Sequence, residues 1–255
     1  MDNNDIFFGD LPPTLTTHQP PRYTKPTDDF RPLPSSDTSV LYLAITTPHT
    51  DTYTIHGPVR SFSHLLPPIQ DRTSSSPSAI DKLDALAYTP ADAWGEQTPS
   101  AAFETHGFRT FIVEGQRATF TVLEVLREDN PLVREALPAP VYTVTRHGPL
   151  VYSFSGVGAG VRVGEARGFA ATSALVGSFV ERGAARTAAR DAMERLVAGE
   201  GVVSRIEEWG AGDGGVLLAM GRETRWEVRV LYEDETLQRA KEVADAEGAG
   251  VGWRY

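Results

Sequence analysis

The chain of 255 residues contains no cysteine. Disulfides, thiolate metal sites and cysteine nucleophiles are excluded, and an intracellular setting, cytoplasmic or nuclear, is the expectation. Lysine is nearly missing: Lys25, Lys82 and Lys241 are the only three among 24 basic residues. A GC-rich coding sequence accounts for this more simply than a need for planar, bidentate pairing. No apolar run reaches the roughly 20 residues of a membrane helix. The start, Met1-Asp2-Asn3-Asn4-Asp5, lacks the basic opening and apolar run of a secretory signal. No membrane partner is expected. Basic residues do not predominate either. The net charge is −10, with 9 basic against 17 acidic residues in 1–130 and 15 against 17 in 131–255. Neither half supplies the basic footprint of a nucleic-acid binder. Walker A, H-E-x-x-H and G-x-S-x-G motifs are all missing.

What is there comes in pairs. Tyr53-Thr54-Ile55 runs into His56-Gly57-Pro58, and Ser61-Phe62-Ser63 follows; Tyr142-Thr143-Val144 leads to His147-Gly148-Pro149, and Ser153-Phe154-Ser155 follows. Downstream, Gly115 precedes Phe120 by five residues and Val125-Leu126-Arg127-Glu128-Asp129 closes the segment. Gly221 precedes Trp226 by five, and Val230-Leu231-Tyr232-Glu233-Asp234 closes that one. Matched blocks in the same order point to an internal duplication.

Residues 1–39, rich in Pro, Thr, Ser and Asp, bury too little apolar surface to offset their ordering entropy and are expected to be a disordered tail. A first unit over 40–138 opens with a strand at Val40–Ile45. Short strands flank a His-Gly-Pro turn, a Ser-rich loop spans Asp71–Ser78, and a helix starts at Ser78 with Ile80, Leu83, Leu86 and Ala87 on one face. Strands at Thr110–Glu114 and Ala118–Leu126 turn at Gly115-Gln116. Asn130-Pro131 then reads as an N-cap with proline at the first helical position. In a second unit, 139–255, strands surround His147-Gly148-Pro149. The pairs Ala184/Ala185, Ala188/Ala189, Ala192/Met193 and Leu196/Val197 stripe one helix. Val216–Met220 and Arg225–Tyr232 form a hairpin with Trp226, Val228, Val230 and Tyr232 on one face and Glu227 and Arg229 on the other. A last helix is expected at Thr236–Glu247 and an edge strand at Val251–Tyr255. The fold class is therefore α+β: two degenerate repeats of antiparallel sheet with helices on one face, the C-terminal one a split β-α-β unit of ferredoxin-like type.

Candidate functional residues are few. His56 and His147 occupy matched positions and titrate near neutral pH, but no Asp or Glu lies beside either to orient the ring. Arg182, Arg186 and Arg190, four apart, form a basic ridge suited to an acidic partner or a phosphate, with Glu181, Asp191 and Glu194 on the same helix. Gly156-Val157-Gly158-Ala159-Gly160 follows a strand, yet alternating Val161-Arg162-Val163 comes next instead of the helix that would hold a pyrophosphate. The histidine spacing fits no metal motif. No cofactor is expected.

Leu175-Val176-Gly177-Ser178-Phe179-Val180, followed by the alanine-striped helix, resembles the opening of SPOR domains, and Trp226 to Gly248 resembles their second half. The same strand-then-alanine-helix motif resembles a set of filamentous-fungal proteins. The SPOR likeness, over residues 174–248, implies a β-α-β-β-α-β fold that binds bare glycan strands of bacterial cell wall. The chain departs from it where Tyr232-Glu233-Asp234 stands in place of the usual Gly-Pro-Phe. The residues themselves point to a non-catalytic protein-interaction module; glycan binding of the SPOR kind, or an enzyme with its site between the repeats, are the alternatives.

With a net charge of −10 and few clustered arginines, the protein is predicted not to bind single- or double-stranded oligonucleotides at physiological salt. Fluorescence anisotropy checks this. Tight, salt-sensitive binding would mean that folding gathers scattered basic residues, such as Arg222, Arg225 and Arg229.

Overall fold

The computed structural model describes residues 22–34, 36–88, 98–155, 162–210 and 214–233. The glycine-rich loop at 156–160, the helix expected after Asp234 and the final strand lie outside them.

Two antiparallel sheets carry the α+β fold. The first contains β1 (Ser39–Thr47), β2 (Thr52–Val59), β3 (Thr110–Glu114) and β4 (Phe120–Asp129) in the order β2-β1-β4-β3. The second contains β5 (Val141–Ser155), β6 (Arg162–Arg167), β7 (Ala174–Phe179), β8 (Ser204–Trp209), β9 (Gly215–Met220) and β10 (Thr224–Glu233). Its order is β6-β5-β10-β9-β8, and β7 pairs with the N-terminal half of the long β5.

Period-2 alternation decides what each face meets. On β1, Leu43 and Ile45 join Leu123, Val125, Phe111 and Val113 beneath α1 (Leu66–Thr73), α2 (Pro77–Ala87) and α3 (Ala101–His106). Phe62, Phe103 and Phe108 fill this core, Phe62 meeting both others edge-on with centroids 5.2 and 5.5 Å away. The alternate residues Val40 and Tyr42 face the other way, toward α4 (Pro131–Ala136) and Val141 at the start of β5. In the second sheet Tyr142, Val144, Trp226, Val228 and Val230 face α6 (Arg182–Leu196), which approaches through Ala185, Ala189 and Ala192. The one-face arrangement of β10 expected from its sequence is what forms. The helix α6 carries the chain from β7 to β8 at the far edge, with three strands between them. This split β-α-β unit is wider than the ferredoxin-like kind, where one strand lies between.

Each His-Gly-Pro sits inside a strand, not at a turn between strands. Leu43 faces His56 and Leu41 faces Val59, so Gly57 and Pro58 oppose Tyr42 alone; Glu227 faces His147 and Arg225 faces Leu150, so Gly148 and Pro149 oppose Trp226 alone. Both are the same β-bulge, and both Gly-Pro bonds are cis. Glycine is required: φ is +107° and +127°, and an added Cβ would lie 2.7 Å from the Leu41 carbonyl or 3.0 Å from that of Arg225. Proline suits a place where the ladder is interrupted and no N–H is called on. The surrounding strands differ. The bulged strand is an edge in the first sheet and interior in the second, and Phe120 faces Glu114 while Trp226 faces Ala219. His56 and His147 thus correspond locally, while Phe120 and Trp226 hold different register positions.

Two stretches differ from the sequence reading. Leu66–Thr73 is a helix whose prolines sit in the first turn, where a missing N–H costs nothing; the expected Ser-rich loop shrinks to the link before α2. Of the disordered tail expected over 1–39, residues 1–21 lie outside the described residues, and 22–34 are docked on the first sheet. Asp29 brackets Thr110 with backbone hydrogen bonds, and the Asp28 carboxylate accepts from the Ile112 N–H at 2.7 Å and Lys82 Nζ at 2.8 Å. Leu33 is buried in the first core. This segment covers the free edge of β3, whose unpaired backbone groups would otherwise face solvent. Composition concealed it because the anchors are single residues spaced among prolines.

Ala189 is fully buried at the middle of α6, against Trp226 and its neighbours. Ala184, expected on the stripe, is exposed instead. Ala189→Leu is expected to destabilise by about 1–3 kcal/mol through overpacking, and Ala184→Leu by much less. Equal shifts of the urea midpoint in the two variants would contradict this packing.

Candidate functional site

The faces not covered by α1–α3 and α6 meet each other. Their meeting is polar. Glu128 on β4 accepts from the Tyr42 hydroxyl at 2.5 Å, from Asn130 Nδ2 at 2.8 Å and from the Ser178 N–H of β7 at 3.1 Å. Asn130 also donates to the Ser178 carbonyl, and Ser178 Oγ lies 2.9 Å from Thr143 Oγ1. A Cβ at Gly177 would come within 3.2 Å of the Glu128 carboxylate, so glycine leaves room for it. The Val-Gly-Ser-Phe residues behind the SPOR resemblance thus serve here to join the two sheets.

Farther along β1 the sheets part into a cleft of about 900 Å³. Its walls come from the turn between β1 and β2, from the N-terminal segment at Arg22 and Tyr23, from Phe120, from the loop after β6 with α5 (Phe169–Thr172), and from β10. Four arginines line it: Arg22, Arg167, Arg225 and Arg229. The alternation of β10 points Arg225, Glu227 and Arg229 to this face. Glu227 is almost wholly buried and receives a hydrogen bond from each of the two arginines, the one from Arg225 at 2.5 Å. Removal of a carboxylate from water is costly unless such charge-assisted bonds replace it. The Arg229 guanidinium also lies over the Phe169 ring, 5.7 Å from its centroid. Arg225 Nε is buried without a hydrogen-bond partner. Arg22 and Arg167 are exposed and make no ion pair among the described residues. The acid in the cleft wall, Asp51, is engaged: it accepts from the N–H groups of Gly168 at 2.6 Å and Ala170 at 3.0 Å and so fixes the loop that carries Arg167.

The residues singled out in the sequence are dispersed. His56 is exposed on β2, on the face opposite to the cleft side. His147 is 3 % exposed between the sheets. Its Nδ1 lies 2.6 Å from Ser173 Oγ and its Nε2 3.1 Å from Thr145 Oγ1, with the rings of Tyr53 and Phe169 against it. No carboxylate orients the ring: Glu227, its cross-strand neighbour, is held by two guanidiniums. The ridge on α6 is consumed internally, but by β8, not by acids of its own helix. Arg190 binds Glu207 at 2.6 Å and Arg186 stacks on Trp209 at 4.4 Å. Arg182, at the start of the helix, lies apart from the cleft. Glu227 and Arg229 were legible as charges on one face of a strand, and Arg225 only as one of the scattered basic residues. Nothing local in the sequence marks Arg22 or Arg167. Among the described residues no group of three or more His, Asp or Glu is placed to hold a metal ion, and no helix is long and apolar enough to cross a membrane.

No protein-family model matches the chain, and neither a curated protein nor a solved structure shows significant similarity to it.

Burial, and then Arg229, lowers the His147 pKa from 6.5 to about 4. The ring is neutral in the fold and charged in the unfolded chain between those values. The stability it protects is complete above pH 6.5 and drains as pH falls toward 4. Wild type is expected to lose about 2–3 kcal/mol more than His147→Gln between pH 7 and 4.5 in urea titrations. Parallel pH profiles would show that the ring does not report on the seam.

Proposed function

We propose that the chain is a non-catalytic protein-interaction module that grips an anionic group of its partner in the cleft between the sheets. The supporting observation is the convergence of Arg22, Arg167, Arg225 and Arg229 on one concavity, in a chain whose net charge is −10. The positive character is local, and a concave wall concentrates it. Guanidinium forks match the geometry of carboxylate and phosphate oxygens. The cysteine-free composition favours a partner in the cytoplasm or nucleus.

Catalysis has less in its favour. His147 lacks an orienting carboxylate, is held neutral by burial, and is packed behind Phe169, away from the cleft wall. Glycan binding of the SPOR kind finds little open sheet: β5 and β10 lie under α6 on one face, and on the other they turn toward the first sheet.

Thermal unfolding in low-salt buffer tests the proposal, with a pool of anionic peptides bearing carboxylates or phosphates and a matched cationic pool. A ligand that binds the folded state raises Tm. The anionic pool is expected to raise it in the wild type, less so at high salt, and not in Arg22→Gln/Arg167→Gln. An undiminished rise in the double variant would place the site elsewhere, and the absence of any rise would remove the proposal.

A further inference from the structure

The charges at the cleft wall do not balance. Among the described residues four guanidiniums face it, and the carboxylates bonded to its wall are Glu227 and Asp51; Glu124 acts on the Tyr23 and Tyr53 hydroxyls from farther along β4. The excess at the wall is two positive charges. A single carboxylate would leave one uncompensated; a dianion would match both. The donors agree with the charge. Arg225 and Arg229 each keep terminal nitrogens beyond those engaged by Glu227, and Arg22 and Arg167 have their full forks free among the described residues. That is more donor capacity than the two oxygens of a carboxylate take up and suits the three oxygens of a phosphate. The cleft, at about 900 Å³, is also far larger than a bare anion, and Tyr23, Phe120 and Phe169 line it. It has room for the body to which the phosphate is attached.

We infer that the cleft binds a phosphate monoester dianion, held by Arg22, Arg167, Arg225 and Arg229. This rests on the anion-gripping reading above and narrows it to one chemistry. Two sources share that chemistry: a phosphorylated side chain of a partner protein and a free phosphate ester. A nucleic-acid strand is disfavoured, because its phosphates are monoanions spaced along a track, whereas the four guanidiniums gather on one concavity.

The test is a set of calorimetric titrations of the full chain. The ligands are a short neutral peptide with one phosphoserine, the same peptide with glutamate or unmodified serine there, phenyl phosphate, and a single-stranded oligonucleotide. The proteins are wild type, Arg22→Gln, Arg167→Gln and the control Arg195→Gln, an exposed residue of α6. The phosphorylated ligands are expected to bind, about tenfold or more tightly than the glutamate peptide. Arg22→Gln and Arg167→Gln are each expected to weaken them about tenfold and Arg195→Gln to leave them unchanged. Binding should weaken as pH falls through about 6, where the phosphate loses its second charge. Equal affinity for phenyl phosphate and the phosphopeptide identifies a free ester as the source, and a clear preference for the peptide identifies a phosphorylated partner; either supports the inference. Equal binding of the glutamate peptide overturns the dianion and leaves the anion-gripping reading in place. No binding of any anion overturns both. Tighter binding of the oligonucleotide, or an equal loss in Arg195→Gln, overturns the inference in favour of diffuse charge attraction.

Discussion

The constraint on which this structure depends is that, among the described residues, α1–α3 and α6 cover one face of each sheet. The other two faces turn toward each other, with α4 packed beside Val40 and Tyr42. Hydrophobic burial joins them over a small patch, where Val40, Tyr42, Val133 and Val141 meet. Elsewhere the facing residues are threonine, serine, histidine and glutamate: Thr143, Thr145, His147, Ser178 and Glu227 are all buried. Buried polar groups are tolerated only when satisfied. The seam is therefore a set of paired groups around Glu128, which draws together β1, β4 and β7 through Tyr42, Asn130 and Ser178. A polar seam of this kind is directional, so it fixes the relative placement of the sheets more narrowly than apolar packing of the same area.

The position of the cleft follows. Glu128 lies near the start of β1, opposite Val40, and the cleft begins around Pro48, just past the end of the same strand. The distance is roughly 26 Å at the usual rise of about 3.3 Å per residue. The sheets are held together at one end of β1 and diverge toward the other. At the cleft end Asp51 reaches across to accept from the backbone N–H groups of Gly168 and Ala170 and ties the two walls together. The Tyr53 ring, two residues on, rests against His147.

This also defines what could be read from the sequence. Elements set by local rules were legible: the Asn130 cap, which accepts from the Val133 N–H, the alanine stripe of α6, and the two faces of β10. The His-Gly-Pro pair was visible as a repetition. Its character was not, because a bulge and a turn draw on the same residues, and only the register of the partner strand separates them. The N-terminal segment was misjudged because it is ordered by tertiary anchors, Asp28 and Leu33, and not by a periodic face. The site was the least legible part. Arg22 and Arg225 are two hundred positions apart, and their convergence depends on a seam formed by other residues. The tempting histidines and the arginine ridge were singled out by local spacing, which carries no information about which faces are later covered.

The same seam gives the cleft its chemistry. On an isolated second sheet, Arg225, Glu227 and Arg229 would be a solvated row of alternating charges worth little to stability. Placed against another sheet, Glu227 loses its water and must take hydrogen bonds from the arginines on both sides, which immobilises them. Arg229 also lies over the Phe169 ring. A guanidinium fixed in this way has already given up the rotamer freedom that a mobile surface arginine loses only on binding. The contact at Glu227 therefore also leaves two oriented forks at the cleft wall, so the proposed anion recognition would draw on the same buried carboxylate as the packing of β10.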